Sequence, residues 1–368
     1  ACWTAFPSAA DLWEDNLAPA QAEVAAMVRV IAESERVELL VNGLAAELAA
    51  RDLLGSANVG FHQFGFGDIW LRDTGPLFLS SPVGHAAAAF RFNGWGGKYD
   101  LPGDDLVAAF VATTAGVPLA RHDWVLEGGA IDVDGTGLAV TTEQCLLNPN
   151  RNPRMDANEI ASHLRRDLGI DRLLWLGDGL EGDHTDGHVD NLARFVAPGV
   201  LAVPAPSGSD DPNAEIYEDA HARARDFGLD VVTIPSPGRI VVDGEVVPAS
   251  HMNFYIANGA VIVPTYGSPY GDAAVAAVAA LFPTRKVVGL PALRVKGGIP
   301  GIRRFGSRNA DLCPRSFLRD RPGVGSLPRR NRCRAQIKAV PVLREQTRPL
   351  RIRRGLRPLA VRQVDRLR

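Results

Sequence analysis

Long apolar runs are missing from this chain of 368 residues. None approaches the eighteen or so residues needed to cross a bilayer, which excludes a helical membrane protein. Cysteine is scarce as well: Cys2, Cys145, Cys313 and Cys333 form no CxxC pair and no dense framework. That excludes a disulfide scaffold and a Cys-based zinc site, and it fits a reducing, cytoplasmic setting. The N-terminus reads Ala1-Cys2-Trp3, neither an initiator Met nor a basic-then-apolar secretion signal, so no targeting segment is supported. What remains, 46% hydrophobic and 22% charged, suits a soluble globular protein of one large domain or two ordinary ones.

An excess of either charge is also missing, for the net is only −2, but the total conceals two parts of opposite charge. From Gly301 to Arg368, 19 Arg and one Lys face Asp311, Asp320, Glu345 and Asp365, a net of +16. The first 300 residues carry −18. Two kinds of sequence meet near residue 300.

Between residues 17 and 290 an order of elements recurs: a hairpin, an amphipathic helix, then an apolar strand. Expected hairpins pair Gly129–Val133 with Leu138–Thr142, Asn191–Val196 with Val200–Pro204, and Asn253–Ile256 with Ala260–Pro264. Their turns carry Asp134-Gly135, Pro198-Gly199 and Asn258-Gly259, which favour tight reversals. Helices are expected to begin near Asp104, Asn158, Pro212 and Gly271, followed by strands Leu119–Trp124, Arg172–Leu176, Asp230–Ile234 and Lys286–Leu290. An earlier helix with Pro19 in its first turn leads to the strand Val37–Val41. Neither end offers a polar capping unit, which favours a closed ring over a linear stack. Closure requires a partner for the first strand, Trp3–Phe6, arriving after Leu290.

Charged residues gather beside the hairpins: Asp68–Pro76, Glu127-Gly128-Gly129 and Asp183–Asn191. In a strand, His188 and Asp190 would share one face. Carboxylates converging with a histidine at the hub of a ring make an anionic pocket, suited to a metal or an organic cation. No H-E-x-x-H spacing and no second histidine at helical offset is present, so an organic cation is the better reading and no metal or cofactor is expected. Taken singly, these Asp and Gly residues are turn formers and the Trp residues core. Three clusters at equivalent repeat positions argue otherwise.

Six stretches carry a resemblance: Asp68–Pro76; Phe92-Asn93-Gly94-Trp95-Gly96-Gly97-Lys98-Tyr99; Glu127-Gly128-Gly129; residues 141–153, from Thr141 to Pro153; Asp186–Asn191; and Asn253-Phe254-Tyr255. In this order they resemble the agmatine deiminase family, which includes the bacterial-type peptidylarginine deiminases. The match runs from about Trp3 to about Lys296, roughly four-fifths of the chain. The resemblance implies an α/β pentein, a five-bladed propeller of ββαβ repeats with its last blade incomplete here, over residues 1–298. It implies hydrolysis of agmatine to N-carbamoylputrescine and ammonia, in putrescine and polyamine biosynthesis, without cofactor. Peptidylarginine deimination, or a non-catalytic pentein that only binds cations, are the alternatives.

By motif position Asp73 and Asp190 would hold the guanidinium, and His188 would act as general acid and base. Glu127 would support His188 and help bind substrate. Trp70 would wall the pocket, and Asp183 or Glu181 would meet a distal amine. Homo-oligomerisation is compatible with this; a nucleic-acid or membrane partner is not expected.

The family's nucleophile is a cysteine in a Gly-rich run ending His-Cys. The approach is present, from Phe282 to Leu290 and then Arg294-Val295-Lys296-Gly297-Gly298, but Ile299-Pro300-Gly301-Ile302 follows and no His-Cys appears. None of the four cysteines fits by position. Residues 299–368 admit three readings: a basic arm for nucleic acid, a solvated disordered segment, or a change of reading frame near residues 296–300. The bias of 36 Arg to 4 Lys and the abrupt end of the resemblance favour the last.

Overall fold

Short buried runs, too brief for helices and bounded by turn residues, set the architecture. Leu138–Thr142 is typical, buried at all five positions. The computed structural model describes residues 1–81, 84–242 and 244–293, which all fall in a unit spanning Ala1 to Pro314. The Arg-rich segment, Cys313, Cys333 and the stretch where His-Cys was sought lie outside the described residues.

The first sheet is wholly parallel: β1 (Cys2–Ala5), β2 (Val37–Val41) and β3 (Val59–Gln63), crossed over by α1 (Leu17–Ala32) and α2 (Leu44–Leu54). Four sheets of one pattern follow, each an antiparallel hairpin, a helix and a strand parallel to the hairpin's second arm. They comprise β4 (Leu77–Ser81), β5 (Gly84–Arg91), α3 (Val107–Thr114) and β6 (Leu119–Val125); then β7 (Asp132–Val133), β8 (Leu138–Thr142), α4 (Ala157–Leu168) and β9 (Arg172–Leu176). Next come β10 (Arg194–Ala197), β11 (Val200–Ala205), α5 (Ala214–Asp226) and β12 (Asp230–Pro235). A small hairpin, β13 (Val241–Val242) with β14 (Glu245–Val246), precedes β15 (Tyr255–Ile256), β16 (Ala260–Thr265), α6 (Gly271–Leu281) and β17 (Lys286–Pro291). Local chemistry fixes the boundaries. Asp156 and Glu159 form a reciprocal capping box at the start of α4, and Gly169, with φ 70°, ends it.

The helices of the last two ββαβ units pack against their own sheet and the sheet before it. Helix α5 touches β9 besides β11 and β12, and α6 touches β12 besides β16 and β17. The series returns to its start, because α1 packs on β16 and β17 of the last sheet. Tyr255 and Ile262 of that sheet join the core built by β1, β2 and α1, and the Tyr255 hydroxyl donates to Cys2 Sγ at 2.9 Å.

Among the described residues the ends of the series meet through helix α1, and the partner strand expected for Trp3–Phe6 after Leu290 lies outside them. The sheet β15–β16–β17 has its hairpin, helix and parallel strand among the described residues, and the unit left short there is the one holding β1, which has one strand neighbour, β2. Helix α2, strand β3 and the β4–β5 hairpin were not anticipated.

Candidate active site

Three polar atoms from two segments meet over one glycine. Gly129 lies in a single turn of 3-10 helix, Gly128–Ala130, after β6. A Cβ placed there would strike His188 Nδ1, and would lie 2.7 Å from Asp73 Oδ1 and 3.0 Å from Asp190 Oδ2. Only a residue without a side chain lets these groups converge. Gly128 is equally constrained, because its Cβ would run into the Arg72 carbonyl.

Asp73 sits on the short helix Leu71–Thr74, its Oδ1 accepting from Gly129 N at 2.9 Å and its Oδ2 from Trp95 Nε1 at 3.1 Å. Trp95 holds a left-handed backbone, φ 54° and ψ 51°, in the Gly-rich turn after β5, which turns its indole onto Asp73. His188 Nδ1 stands 3.7 Å from Asp73 Oδ1. The segment bearing His188 and Asp190 is not the strand expected from its alternation: Val189–Asn191 is a 3-10 turn with His188 capping it. Residues two apart meet there through the turn and the shared approach to Gly129, not through strand pleating.

Below this floor buried charges alternate. Arg72 Nε lies 3.7 Å from Asp190 Oδ2, Arg72 Nη2 3.9 Å from Asp132 Oδ1, and Arg194 Nε 3.2 Å from the same Asp132 oxygen. Arg194, 2% exposed, also donates to the Met252 and Phe254 carbonyls. Burial raises the Asp190 carboxyl to about 6, although Arg72 and His188 favour its charged form. Burial likewise lowers the Arg194 guanidinium from its ordinary value.

Glu127 is fully buried, and its Oε1 accepts from Arg151 Nε at 2.6 Å. Arg151 reaches on to Asp186 Oδ2 at 2.5 Å and to the Thr185 carbonyl at 2.9 Å, so it ties Glu127 to the loop that presents His188. Burial opposes the charge on Asp186, but hydrogen bonds from Lys98, Asn150 and Arg151 hold its carboxyl below the ordinary range. No hydrogen bond joins Glu127 to His188: Glu127 Oε2 and His188 Nε2 have no partner among the described residues.

A cavity of about 600 Å³ opens above the floor, lined by Trp70, Asp73, His188 and Asp190 together with Trp13, Trp95 and Tyr99. Asp68 holds the wall by accepting from Trp70 Nε1 at 2.8 Å and from Trp13. Asp183 lines the cavity but is committed within its own loop, accepting from Thr185 N, Thr185 Oγ1 and Asn191 Nδ2. Glu181 is exposed and not among the lining residues. The structure thus brings Asp73, Asp190, His188, Trp70 and Asp183 to one cavity, with Glu127 buried behind them.

Neither described cysteine faces that cavity. Cys145, wholly buried on the short helix Glu143–Leu146, has its thiol pushed well up by burial and by the nearby Glu127 charge. Burial pushes Cys2 in β1 up to about 12. Sequence reasoning missed Arg72, Arg151, Trp95 and Trp13 as parts of the site. The first three lie inside the quoted motifs; Trp13 carries no signal beyond being a tryptophan.

The description of Porphyromonas-type peptidyl-arginine deiminases matches residues 1–302. Over 320 residues the chain is 37% identical to an agmatine deiminase of Stutzerimonas stutzeri, covering 78% of this chain and 87% of that one. It is 33% identical to an agmatine deiminase of Medicago truncatula, over 80% and 88% of the two chains. The solved agmatine deiminase of Enterococcus faecalis superposes with a TM-score of 0.77 at 30% identity, covering 83% of this chain and 93% of that one.

Proposed function

The chain belongs to the family of Porphyromonas-type peptidyl-arginine deiminases, and from that membership we propose that it is an agmatine deiminase-type hydrolase. Such an enzyme cleaves a C–N bond of a linear amidine, converting agmatine and water to N-carbamoylputrescine and ammonia in putrescine and polyamine biosynthesis. The architecture is the pentein fold read from the sequence.

The observation that carries the reading is the meeting of Asp73, Asp190 and His188 over Gly129 at the floor of the cavity. A guanidinium is planar and always charged near neutral pH, so its carbon is a poor electrophile until it is fixed in place. Two carboxylates side by side hold it by charge-assisted forked hydrogen bonds and set its orientation. His188, beside Asp73, is placed to protonate departing ammonia and later to deprotonate water. Glu127, held by Arg151, supplies negative charge behind the histidine, and Trp70 walls the pocket. Asp183 lines the same cavity while its carboxylate also accepts hydrogen bonds within its own loop.

The family chemistry also needs a thiolate within about 3–3.5 Å of the guanidinium carbon. The sequence provides no His-Cys after Gly298, and no described cysteine faces the cavity. This favours a second reading for the chain as it stands: a pentein that binds guanidinium compounds and turns none over. Incubation with agmatine under a ureido-specific colour assay tests it. No colour above a protein-free control is expected; steady colour formation overturns the inactive reading and leaves the deiminase assignment standing.

A further inference from the structure

Glu127, Cys145 and His188 stand 18 and 43 residues apart, a spacing that matches no metal motif, yet the fold brings them together. One possible ligand atom from each lies within 4.8 Å of the other two, and all three residues are buried. A second observation concerns satisfaction. Arg151 and Asp73 occupy the near sides of Glu127 and His188, leaving Glu127 Oε2 and His188 Nε2 without partners among the described residues. Buried polar atoms ordinarily find partners, and a site with several unmatched ones is organised for something else.

We propose that Glu127, Cys145 and His188 form an inhibitory site for a divalent transition-metal cation of the zinc class. The donor set of one carboxylate, one thiolate and one imidazole suits Zn²⁺ or Co²⁺ over hard cations such as Mg²⁺ and Ca²⁺. Metal–ligand bonds of about 2.0–2.3 Å place tetrahedral ligand atoms about 3.5 Å apart, so side-chain adjustments of at most about an ångström bring the cluster to that spacing. The Cys145 S–H bond breaks as the metal–sulfur bond forms, and its proton leaves to solvent. The two negative ligands then offset the cation's charge in the interior. His188 belongs both to this cluster and to the cavity wall, which links the proposed site to the guanidinium's pocket. A bound cation takes His188 and Glu127 out of use, and cation and guanidinium exclude each other. The ligation stands apart from the deiminase reading, whereas its inhibitory consequence rests on that reading.

The test is titration of the full-length chain with Co²⁺, followed by near-ultraviolet thiolate-to-cobalt absorption. One equivalent is expected to saturate the band, and Zn²⁺ to abolish it. Cys145→Ser removes the band, whereas a Cys313→Ser/Cys333→Ser double variant keeps it, with circular dichroism showing each variant folded. Should Cys145→Ser not fold, His188→Asn and Glu127→Gln each weaken Co²⁺ binding at least tenfold. A band that persists in folded Cys145→Ser, one that disappears with Cys313 and Cys333, or no band at all overturns the proposal.

Discussion

Guanidinium binding by this chain is expected to weaken below pH 6, with Asp190 as the cause. Its carboxyl is 5% exposed and titrates near 6 because burial penalises the charged form more than Arg72, His188 and Arg194 compensate. A guanidinium needs the ionised carboxylate. At pH 8 nearly all Asp190 is ionised; at pH 5 about one molecule in eleven is, so affinity for agmatine falls about tenfold, or about 1.4 kcal/mol.

Stability moves the opposite way. The unfolded carboxyl titrates near 3.9, so between about pH 4 and 6 the folded state binds more protons, and stability falls as pH rises through that window. Two units correspond to about 3 kcal/mol as an upper bound. Asp190→Asn is therefore expected to raise the melting temperature at pH 8 while weakening agmatine binding and flattening its pH dependence. Calorimetric titration from pH 8 to 5 reads the affinity. Asp104, raised by burial to about 6 where it braces Gly67 and Asp68, is the control, and Asp104→Asn is expected to keep the slope. An affinity flat from pH 8 to 5, or an unchanged slope in Asp190→Asn, refutes the reasoning.

Three further substitutions probe the same construction. Gly129→Ala places a methyl group among His188, Asp73 and Asp190, and agmatine binding is expected to disappear in calorimetry while the far-ultraviolet spectrum is kept. Arg151→Met leaves Glu127 buried without its cation, and urea unfolding is expected to show a loss of about 3–5 kcal/mol; a change under 1 kcal/mol would contradict the role given to that pair. Asp73→Asn removes a charge-assisted hydrogen bond of about 1.5–3 kcal/mol, expected as a roughly tenfold to hundredfold weaker agmatine affinity.

Much of the fold was legible because its elements advertise themselves. β8 and β9 are five-residue, mainly apolar runs bounded by turn residues, and the observed bounds, Leu138–Thr142 and Arg172–Leu176, are those read from the sequence. Helix α2 was illegible because its apolar residues do not follow one buried face: Leu44 is 68% and Leu48 58% exposed. The alanine-rich β5 gives no period to read, and β3 is short and interrupted by Gly60. At the site, motif order brought out Asp73, His188 and Asp190, but not how they meet. Alternation suggested a strand where the chain makes a 3-10 turn, since two-residue spacing alone cannot tell a pleat from a turn. Arg72 and Arg151 escaped notice as site residues because an arginine reads as surface until its buried partners are known.

The central claim is that the cavity over Gly129 recognises a guanidinium through paired carboxylates. Side-by-side calorimetry of the full-length chain with agmatine and with putrescine, which has the amine but no guanidinium, tests it most directly. Binding of agmatine, with none for putrescine and none in an Asp73→Asn/Asp190→Asn double variant, is the result predicted. Equal binding of the two ligands, or agmatine binding that survives the double substitution, would contradict it.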